Sequence, residues 1–141
     1  MKSKKVILDT NLWISFLISK NFSFLDNYVQ TGQVKLIFSE ELFSEFLTVA
    51  ERPKFQKFFA PKDIKRLISF IDQFGILYQV SSDIRECRDI KDNFLLNLAV
   101  DSNADFLVTG DSDLLDLKSI GNTEILTIKE LEVKLYNIHA P

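Results

Sequence analysis

The sequence is poor in the residues that form covalent cross-links or structural zinc sites. Its 141 residues include one cysteine and one histidine. The single Cys87 excludes an internal disulfide, and one cysteine with one histidine cannot supply the usual ligands of a structural zinc ion. The cysteine count fits a reducing compartment. We therefore expect a cytoplasmic protein.

Long apolar segments are also missing. No apolar run approaches the ~18 residues of a membrane span, so we expect no membrane association. The apolar run at residues 6–8 is too short for a signal peptide. Proline is confined to positions 53, 61 and 141, and no repeat or flexible linker divides the chain. The length suits a single domain over residues 1–141 with a sizeable core.

The charge is slightly negative but unevenly distributed. The formal net charge is −3, which is not typical of a nucleic-acid-binding protein. Between Arg52 and Arg66, however, Asp63 is the only acid among several basic residues. This segment is either a solvated helix face or a rim that contacts phosphates. The candidate nucleic-acid contacts are Arg52, Lys54, Lys57 and Lys62.

Short apolar runs alternate with amphipathic stretches along the chain. Strands are expected at residues 6–8, 34–38, 76–80, 106–109 and 124–128. Helices are expected at residues 12–18, 24–30, 40–51, 62–74, 92–103 and 129–136. Ser39 is a favourable N-cap for the third helix, and Gly32 is expected to end the second. The alternation predicts a parallel sheet covered on both faces.

Acidic turns follow the first and fourth of these strands. Asp9 follows the first strand, and Asp111 and Asp113 follow the fourth. The loops after adjacent parallel strands meet at one crevice, where ligands bind. Acids brought together there repel one another, and a hard divalent cation relieves that repulsion. The pattern predicts a metal-dependent enzyme of phosphate chemistry.

Local structure offers a competing explanation for each acid in these turns. Asp9 can cap the following helix, and Asn11 can hold Asp9 in place by hydrogen bonding. Asp111 and Asp113 can be turn formers, with Gly110 expected to allow a tight turn. Thr109 offers a hydroxyl at the same edge.

Three further candidate acids, Asp89, Asp92 and Glu45, lie elsewhere in the chain. Asp89 and Asp92 both precede a predicted helix, and either can cap it or bind metal. On a helical wheel, Glu45 falls at the edge of an apolar face, whereas Glu41 falls among polar residues. Glu45 can therefore point into a crevice, although Glu40 lies at the opposite boundary of that face.

Five motifs carry a resemblance to a known family. They are Val6-Ile7-Leu8-Asp9-Thr10-Asn11, Ser39-Glu40-Glu41-Leu42 leading to Glu45, Arg52-Pro53-Lys54-Phe55, Arg88-Asp89-Ile90-Lys91-Asp92-Asn93-Phe94, and Val108-Thr109-Gly110-Asp111-Ser112-Asp113-Leu114-Leu115. In this order and spacing, the chain resembles PIN domains, of the VapC-like kind that act as toxins of type II toxin–antitoxin pairs.

The resemblance implies a three-layer α/β/α sandwich with a central, mainly parallel sheet. It also implies an Mg²⁺- or Mn²⁺-dependent ribonuclease. The implied catalytic acids are Asp9, Glu45, Asp92 and Asp111. The implied metal ligands are Asp9, Asp92 and Asp111. The resemblance implies Asn11 and Asp113 as supporting residues, and the position of Thr109 at the strand edge adds it as a third.

The resemblance further implies an RNA substrate, a cognate antitoxin and a homodimer. The 13 phenylalanines belong either to the core or to a partner surface. The candidates for such a surface are Phe22, Phe24, Phe55, Phe58 and Phe59.

Three alternatives stand beside this reading. One is a stand-alone RNA-processing nuclease, and another is a non-catalytic interaction module with the same fold. The third is a phosphatase that forms an aspartyl-phosphate on Asp9. That class resembles the chain in having Asp after its first strand, but it expects a second Asp where Asn11 stands.

Overall fold

The structure, a computed structural model, describes residues 3–19, 23–58 and 61–139. The strands are β1 (Lys4–Leu8), β2 (Val34–Phe38), β3 (Gly75–Leu77), β4 (Phe106–Val108), β5 (Ser119–Ile120) and β6 (Thr123–Leu126). The helices are α1 (Thr10–Ser19), α2 (Ser23–Gln30), α3 (Glu40–Ala50), α4 (Pro61–Phe74), α5 (Asn93–Ser102), α6 (Ser112–Leu115) and α7 (Ile128–His139). Short 3-10 turns cover Pro53–Phe55 and Ile90–Asp92.

These strands form one sheet in the order β3-β2-β1-β4-β6-β5. Every pairing is parallel except that of β5 with β6. Helices pack on both faces of the sheet, which gives three layers. The predicted α/β/α sandwich with a mainly parallel sheet is confirmed.

The core lies around the two central strands, β1 and β4. Their apolar side chains are almost fully buried, because helices cover both faces and central strands of such sheets are continuously apolar. Trp13 of α1 is buried as well, with its ring centroid 5.1 Å from that of Phe38. In the register of β1 and β4, Leu8 is the partner of Val108. The chain therefore leaves both strands side by side, at Asp9 and Thr109.

Local signals set several element ends as expected. Ser39 Oγ accepts a hydrogen bond from Leu42 N at 3.1 Å, and so caps α3. Gly32, which follows α2, has φ +81°, a conformation that glycine adopts without strain. At Gly75, a Cβ atom would lie 2.6 Å from the backbone oxygen of Ile71. The junction of α4 and β3 is therefore too close for any side chain.

Several predicted elements need correction. The third strand is Gly75–Leu77 rather than residues 76–80, because its partner β2 ends at Phe38. The short elements β5 and α6 were not predicted, since two and four residues carry too little periodicity. The fourth strand ends one residue earlier than expected, before Thr109. Only Asn93–Ser102 of the helix expected at residues 92–103 is α-helical.

The expected role of Gly110 is also wrong. A Cβ atom at Gly110 would meet nothing within 4 Å, and Gly110 does not have a positive φ. The turn after β4 therefore does not require glycine. Phe22 and Phe59 lie outside the described residues, as does the side chain of Phe24.

Within the described part of the chain, we find no helix with the length and apolar character needed to cross a bilayer.

Candidate metal centre

Asp9 is held from two sides at the carboxyl end of β1. Its Oδ1 accepts a hydrogen bond from Leu12 N at 2.8 Å, and its Oδ2 accepts one from Thr109 Oγ1 at 2.5 Å. The side chain is buried. Burial raises the pKa of Asp9, the two hydrogen bonds lower it, and the charge of Asp111 raises it further. Asp9 caps α1 and also faces the other acids electrostatically, so a role in helix capping and a role in metal binding are compatible.

Asp92 and Asp111 are in direct side-chain contact. Burial first, and then the adjacent Asp111 carboxylate, raise the pKa of Asp92 to about 7. The pKa of Asp111 is lowered, chiefly by its contact with Asp92 and by a hydrogen bond from Asp113 N. The two carboxyl groups therefore share one proton near neutral pH, because two adjacent negative charges are unfavourable.

Asp89 completes a group of three acids with Asp92 and Asp111. One carboxylate oxygen from each lies within 4.8 Å of the other two. Asp89 Oδ1 caps the 3-10 turn by accepting a hydrogen bond from Lys91 N at 3.1 Å. Asp92 occupies the N-cap position of α5, but its side chain makes no capping hydrogen bond. Capping therefore explains Asp89 and does not explain Asp92.

Glu45 is the candidate site acid on α3. It is half-buried, as its position on the helical wheel predicts, whereas Glu41 is exposed. Burial raises the pKa of Glu45, and the charges of Glu41 and Asp9 raise it further, while Arg52 lowers it. Glu45 therefore lies within electrostatic reach of Asp9.

Asp113 forms an ion pair with Arg88. Its Oδ1 lies 2.9 Å from Arg88 Nη2, which also contacts Asp116 at 2.5 Å. Arg88 had no assigned role in the sequence analysis, although it directly precedes Asp89. It connects the segment before Asp89 to α6, and its charge lowers the pKa of Asp111.

The remaining predicted site residues are exposed. Asn11 is exposed on α1, and within the described structure the Asp9 carboxylate is bonded by Leu12 and Thr109. Support of Asp9 by Asn11 therefore stays a prediction. The basic candidates all reach solvent. They are Arg52, Lys54, Lys57 and Lys62.

The donor set matches a hard divalent cation. Oxygen ligands from carboxylates are those that Mg²⁺ and Mn²⁺ take. Asp92 Oδ2 is buried and has no hydrogen-bond partner among the described residues, so a negative charge on Asp92 is unfavourable there unless a cation compensates it. Asp89, Asp92 and Asp111 are close enough for a shared ion. Asp9 is coupled electrostatically to Asp92 and Asp111.

Comparison with known proteins assigns the family. The PIN domain family matches residues 5–113. An uncharacterised protein of Methanocaldococcus jannaschii is 27% identical over 135 residues, which cover 93% of this chain and 84% of that protein. No solved structure matches the chain significantly. The matched residues include Asp9, Asp111 and the neighbouring strands β1 and β4 almost entirely, and the chain belongs to the PIN domain family.

Proposed function

We propose that this protein is a divalent-metal-dependent endoribonuclease that hydrolyses RNA phosphodiester bonds at the acid cluster. The acid cluster comprises Asp9, Glu45, Asp92 and Asp111, with Asp89 beside it. PIN domains are generally metal-dependent nucleases and act on RNA. The observation that carries the proposal is the Asp92–Asp111 contact, in which a buried carboxylate oxygen has no donor within the described structure. Such a pair is favourable where a cation replaces the shared proton.

Asp92 and Asp111 are proposed to hold the cation, with Asp9 as the third ligand, directly or through water. A divalent cation at this position supplies Lewis acidity toward water and phosphate oxygens. Thr109 keeps Asp9 in place through its hydroxyl. Asp89 is the competing third ligand, because it lies in the tight group of three acids.

Glu45 is proposed to orient the attacking water and accept its proton. Its half-buried carboxylate has a raised pKa, and a general base works best when its pKa lies near the working pH. The alternative role for Glu45 is to bind a second ion.

The basic segment from Arg52 to Arg66 is proposed to contact the RNA backbone. Arg52 is close enough to Glu45 to lower its pKa, so this segment begins beside the acid cluster. Lys54 Nζ lies 5.0 Å from the ring centroid of Phe55, and Lys57 Nζ lies 5.1 Å from that of Phe58. Exposed cations of this kind bind phosphates without reading bases.

An RNA cleavage assay tests the proposed reaction. Single-stranded RNA should be cleaved with Mg²⁺ or Mn²⁺ present, and EDTA should abolish cleavage. Asp9→Asn and Asp92→Asn should each lower the rate by about 10²-fold or more, whereas Asp72→Asn, an exposed substitution on α4, should retain the parent rate. Full cleavage in excess chelator would contradict the proposal.

Metal titration of the same variants identifies the third ligand. We expect Asp9→Asn to weaken Mn²⁺ binding, measured by calorimetry, more than Asp89→Asn does. The opposite order would assign the third ligand to Asp89. Unchanged Mn²⁺ affinity in Asp92→Asn would instead support a non-catalytic interaction module with the PIN fold.

We further propose that the nuclease is the toxin of a toxin–antitoxin pair and forms a homodimer. The order and spacing of the five sequence motifs support this role. Induced expression should arrest growth, and co-expression of a small adjacent antitoxin gene should relieve the arrest. Sedimentation should give a dimer at tens of micromolar. Cleavage without growth arrest would indicate a stand-alone RNA-processing nuclease.

A further inference from the structure

A second acidic surface lies beside the acid cluster, along the free edge of the sheet at β3. Three adjoining cavities of ≈ 580, ≈ 250 and ≈ 520 Å³ form it. The first two share Glu40 and Leu77, and the first and third share Glu41. We call this surface the β3 groove. It runs from α4 past the carboxyl ends of β2 and β3 to Ile90.

The backbone at β3 is open for pairing. In the register of β2 and β3, Leu77 is the partner of Phe38, and Tyr78 N donates a hydrogen bond to Phe38 O at 2.9 Å. The amide and carbonyl of Leu77 therefore point away from β2, toward the free edge. The Leu77 side chain is 64% exposed. An edge strand of this kind is a template for a strand from another chain.

The segment that follows β3 is held against α5 by hydrogen bonds. Three side chains at four-residue spacing on α5, those of Asn93, Asn97 and Asp101, accept hydrogen bonds from its backbone. The donors are the backbone amides of Ser81, Ser82, Ile84 and Cys87. Because i, i+4 residues share one helix face, the segment is held along α5, and one wall of the β3 groove is preformed.

The charge of the β3 groove selects against nucleic acid. Glu40, Glu41, Asp72 and Asp83 line it. The basic residue on its lining, Arg85, is engaged by Asp83 at 2.8 Å. A phosphate backbone would be repelled here, whereas lysine and arginine side chains would be attracted.

The ≈ 250 Å³ cavity between α3, α4 and β3 adds an apolar anchor point. Phe38, Phe43, Ile71 and Ile76 line it. Its volume is below the roughly 300–1,000 Å³ of small-molecule sites and suits one aliphatic side chain. At the other end of the groove, Ile90 is 82% exposed.

We propose that the β3 groove binds an extended, basic segment of a partner protein. The segment pairs its backbone with the free edge of β3 and places one aliphatic side chain in the cavity between α3 and α4. Its lysine or arginine side chains lie against Glu40, Glu41 and Asp72. This interaction does not depend on nuclease activity, because none of these residues belongs to the proposed metal centre.

Nuclear magnetic resonance titration of the full chain in EDTA tests this interaction. The probe is a peptide about ten residues long that alternates lysine and leucine. Two peptides of equal length serve as controls, one alternating lysine with serine and the other alternating glutamate with leucine. We expect saturable shifts of the amides of Glu40, Glu41, Leu77 and Val80 with the lysine–leucine peptide, and weaker binding of both controls.

Matched variants separate the groove from general charge effects. The double variant Glu40→Gln/Glu41→Gln should raise the peptide Kd by about fivefold, which two exposed ion pairs can supply. Leu77→Ser, which removes an exposed apolar side chain without adding charge, should also raise it, and Glu132→Gln, an exposed change on α7, should leave it within about twofold. Equal binding of the lysine–serine peptide, or shifts confined to Asp89, Asp92 and Asp111, would overturn the proposal. So would single-stranded RNA that shifts the groove amides when the peptide does not.

Discussion

Thr109 donates its hydroxyl hydrogen to Asp9 Oδ2 at 2.5 Å, across a separation of 100 residues in the sequence. The same hydroxyl oxygen accepts a hydrogen bond from Asp111 N at 3.0 Å. One buried side chain therefore sets the position of Asp9 and of the turn that carries Asp111. It can do so because the register of β1 and β4 places the two strand ends side by side.

Replacement of this hydroxyl should affect both stability and metal binding. Thr109→Val keeps the shape but leaves Asp9 Oδ2 without its donor, so we expect a loss of about 1–3 kcal/mol in the free energy of unfolding. Metal affinity should fall because Asp9 is less well positioned. Thr109→Ser retains the hydroxyl and should keep the metal affinity of the parent. Denaturant unfolding and Mn²⁺ calorimetry measure the two effects, and equal Mn²⁺ affinities for the Val and Ser variants would contradict the positioning role.

Glu45 and Glu41 form a matched pair for the proposed proton transfer. Both are acids on α3, one turn apart, but only Glu45 is half-buried and coupled to Asp9. Glu45→Gln should lower the rate of RNA cleavage by about 10²-fold or more, and Glu41→Gln should leave it near the parent value. Single-turnover cleavage with Mg²⁺ is the measurement. Equal losses in the two variants would remove the basis for assigning the general base to Glu45.

The stability of the metal-free protein should fall as pH rises. The pKa of Asp92 is raised from its ordinary value of 3.8 to about 7, so between these values the folded protein binds a proton more strongly than the unfolded chain. The contribution of Asp92 to the free energy of unfolding is fully present below the pKa of the unfolded chain. It is lost as pH rises through the pKa of the folded protein. The raised pKa values of Asp9 and Glu45 act in the same direction. The lowered pKa of Asp111 acts in the opposite direction, but this effect falls at pH values below the ordinary pKa of an aspartate.

Thermal unfolding at pH 5 and pH 8, in EDTA and in Mg²⁺, measures this dependence. In EDTA the Tm should be lower at pH 8 than at pH 5. This decrease should be smaller in Asp92→Asn, and the difference between the two proteins isolates the effect of Asp92 from that of other groups. Mg²⁺ should raise the Tm more at pH 8, because ligand carboxylates must be deprotonated. A Mg²⁺ effect that is larger at pH 5 would argue against a carboxylate metal centre.

The exposed lysines of the basic segment should control RNA affinity without affecting where the RNA is cut. The triple change Lys54→Gln/Lys57→Gln/Lys62→Gln should raise the Kd for RNA and flatten its dependence on salt, since fewer counterions are released on binding. The fragment pattern should stay the same. Filter binding across a salt series gives the slope, and Lys35→Gln/Lys118→Gln/Lys129→Gln, three exposed positions outside the basic segment, is the control for general loss of charge. A changed pattern of cut sites would show that these residues read bases.

Much of the fold follows from local sequence. The apolar runs at residues 6–8, 36–38 and 106–108, in β1, β2 and β4, are continuous and buried because these parts of the strands are covered on both faces, and this pattern distinguishes them from the surrounding helices. Ser39 sets the start of α3 through its side chain, which accepts a backbone hydrogen bond. Gly32 follows α2 with a positive φ that glycine adopts without strain. Glu45 could be placed at the edge of a buried face because helical periodicity is local. The residues after Leu77 were assigned to a strand incorrectly, because strand formation needs a partner and β2 has ended there.

The sequence by itself determined which acids stand at strand and helix ends, since each follows a recognisable apolar run or helix start. It could not separate Asp89 from Asp92, because both have the spacing of helix caps. The hydrogen bond from the Lys91 amide to Asp89 is local, whereas only the tertiary structure brings both acids to Asp111 and sets Asp92 in contact with it. The link from Arg88 to Asp113, and the shared Thr109 hydroxyl, likewise depend on strands and loops that are distant in sequence. Contacts of this kind arise from sheet register and loop packing, which local side-chain patterns do not encode.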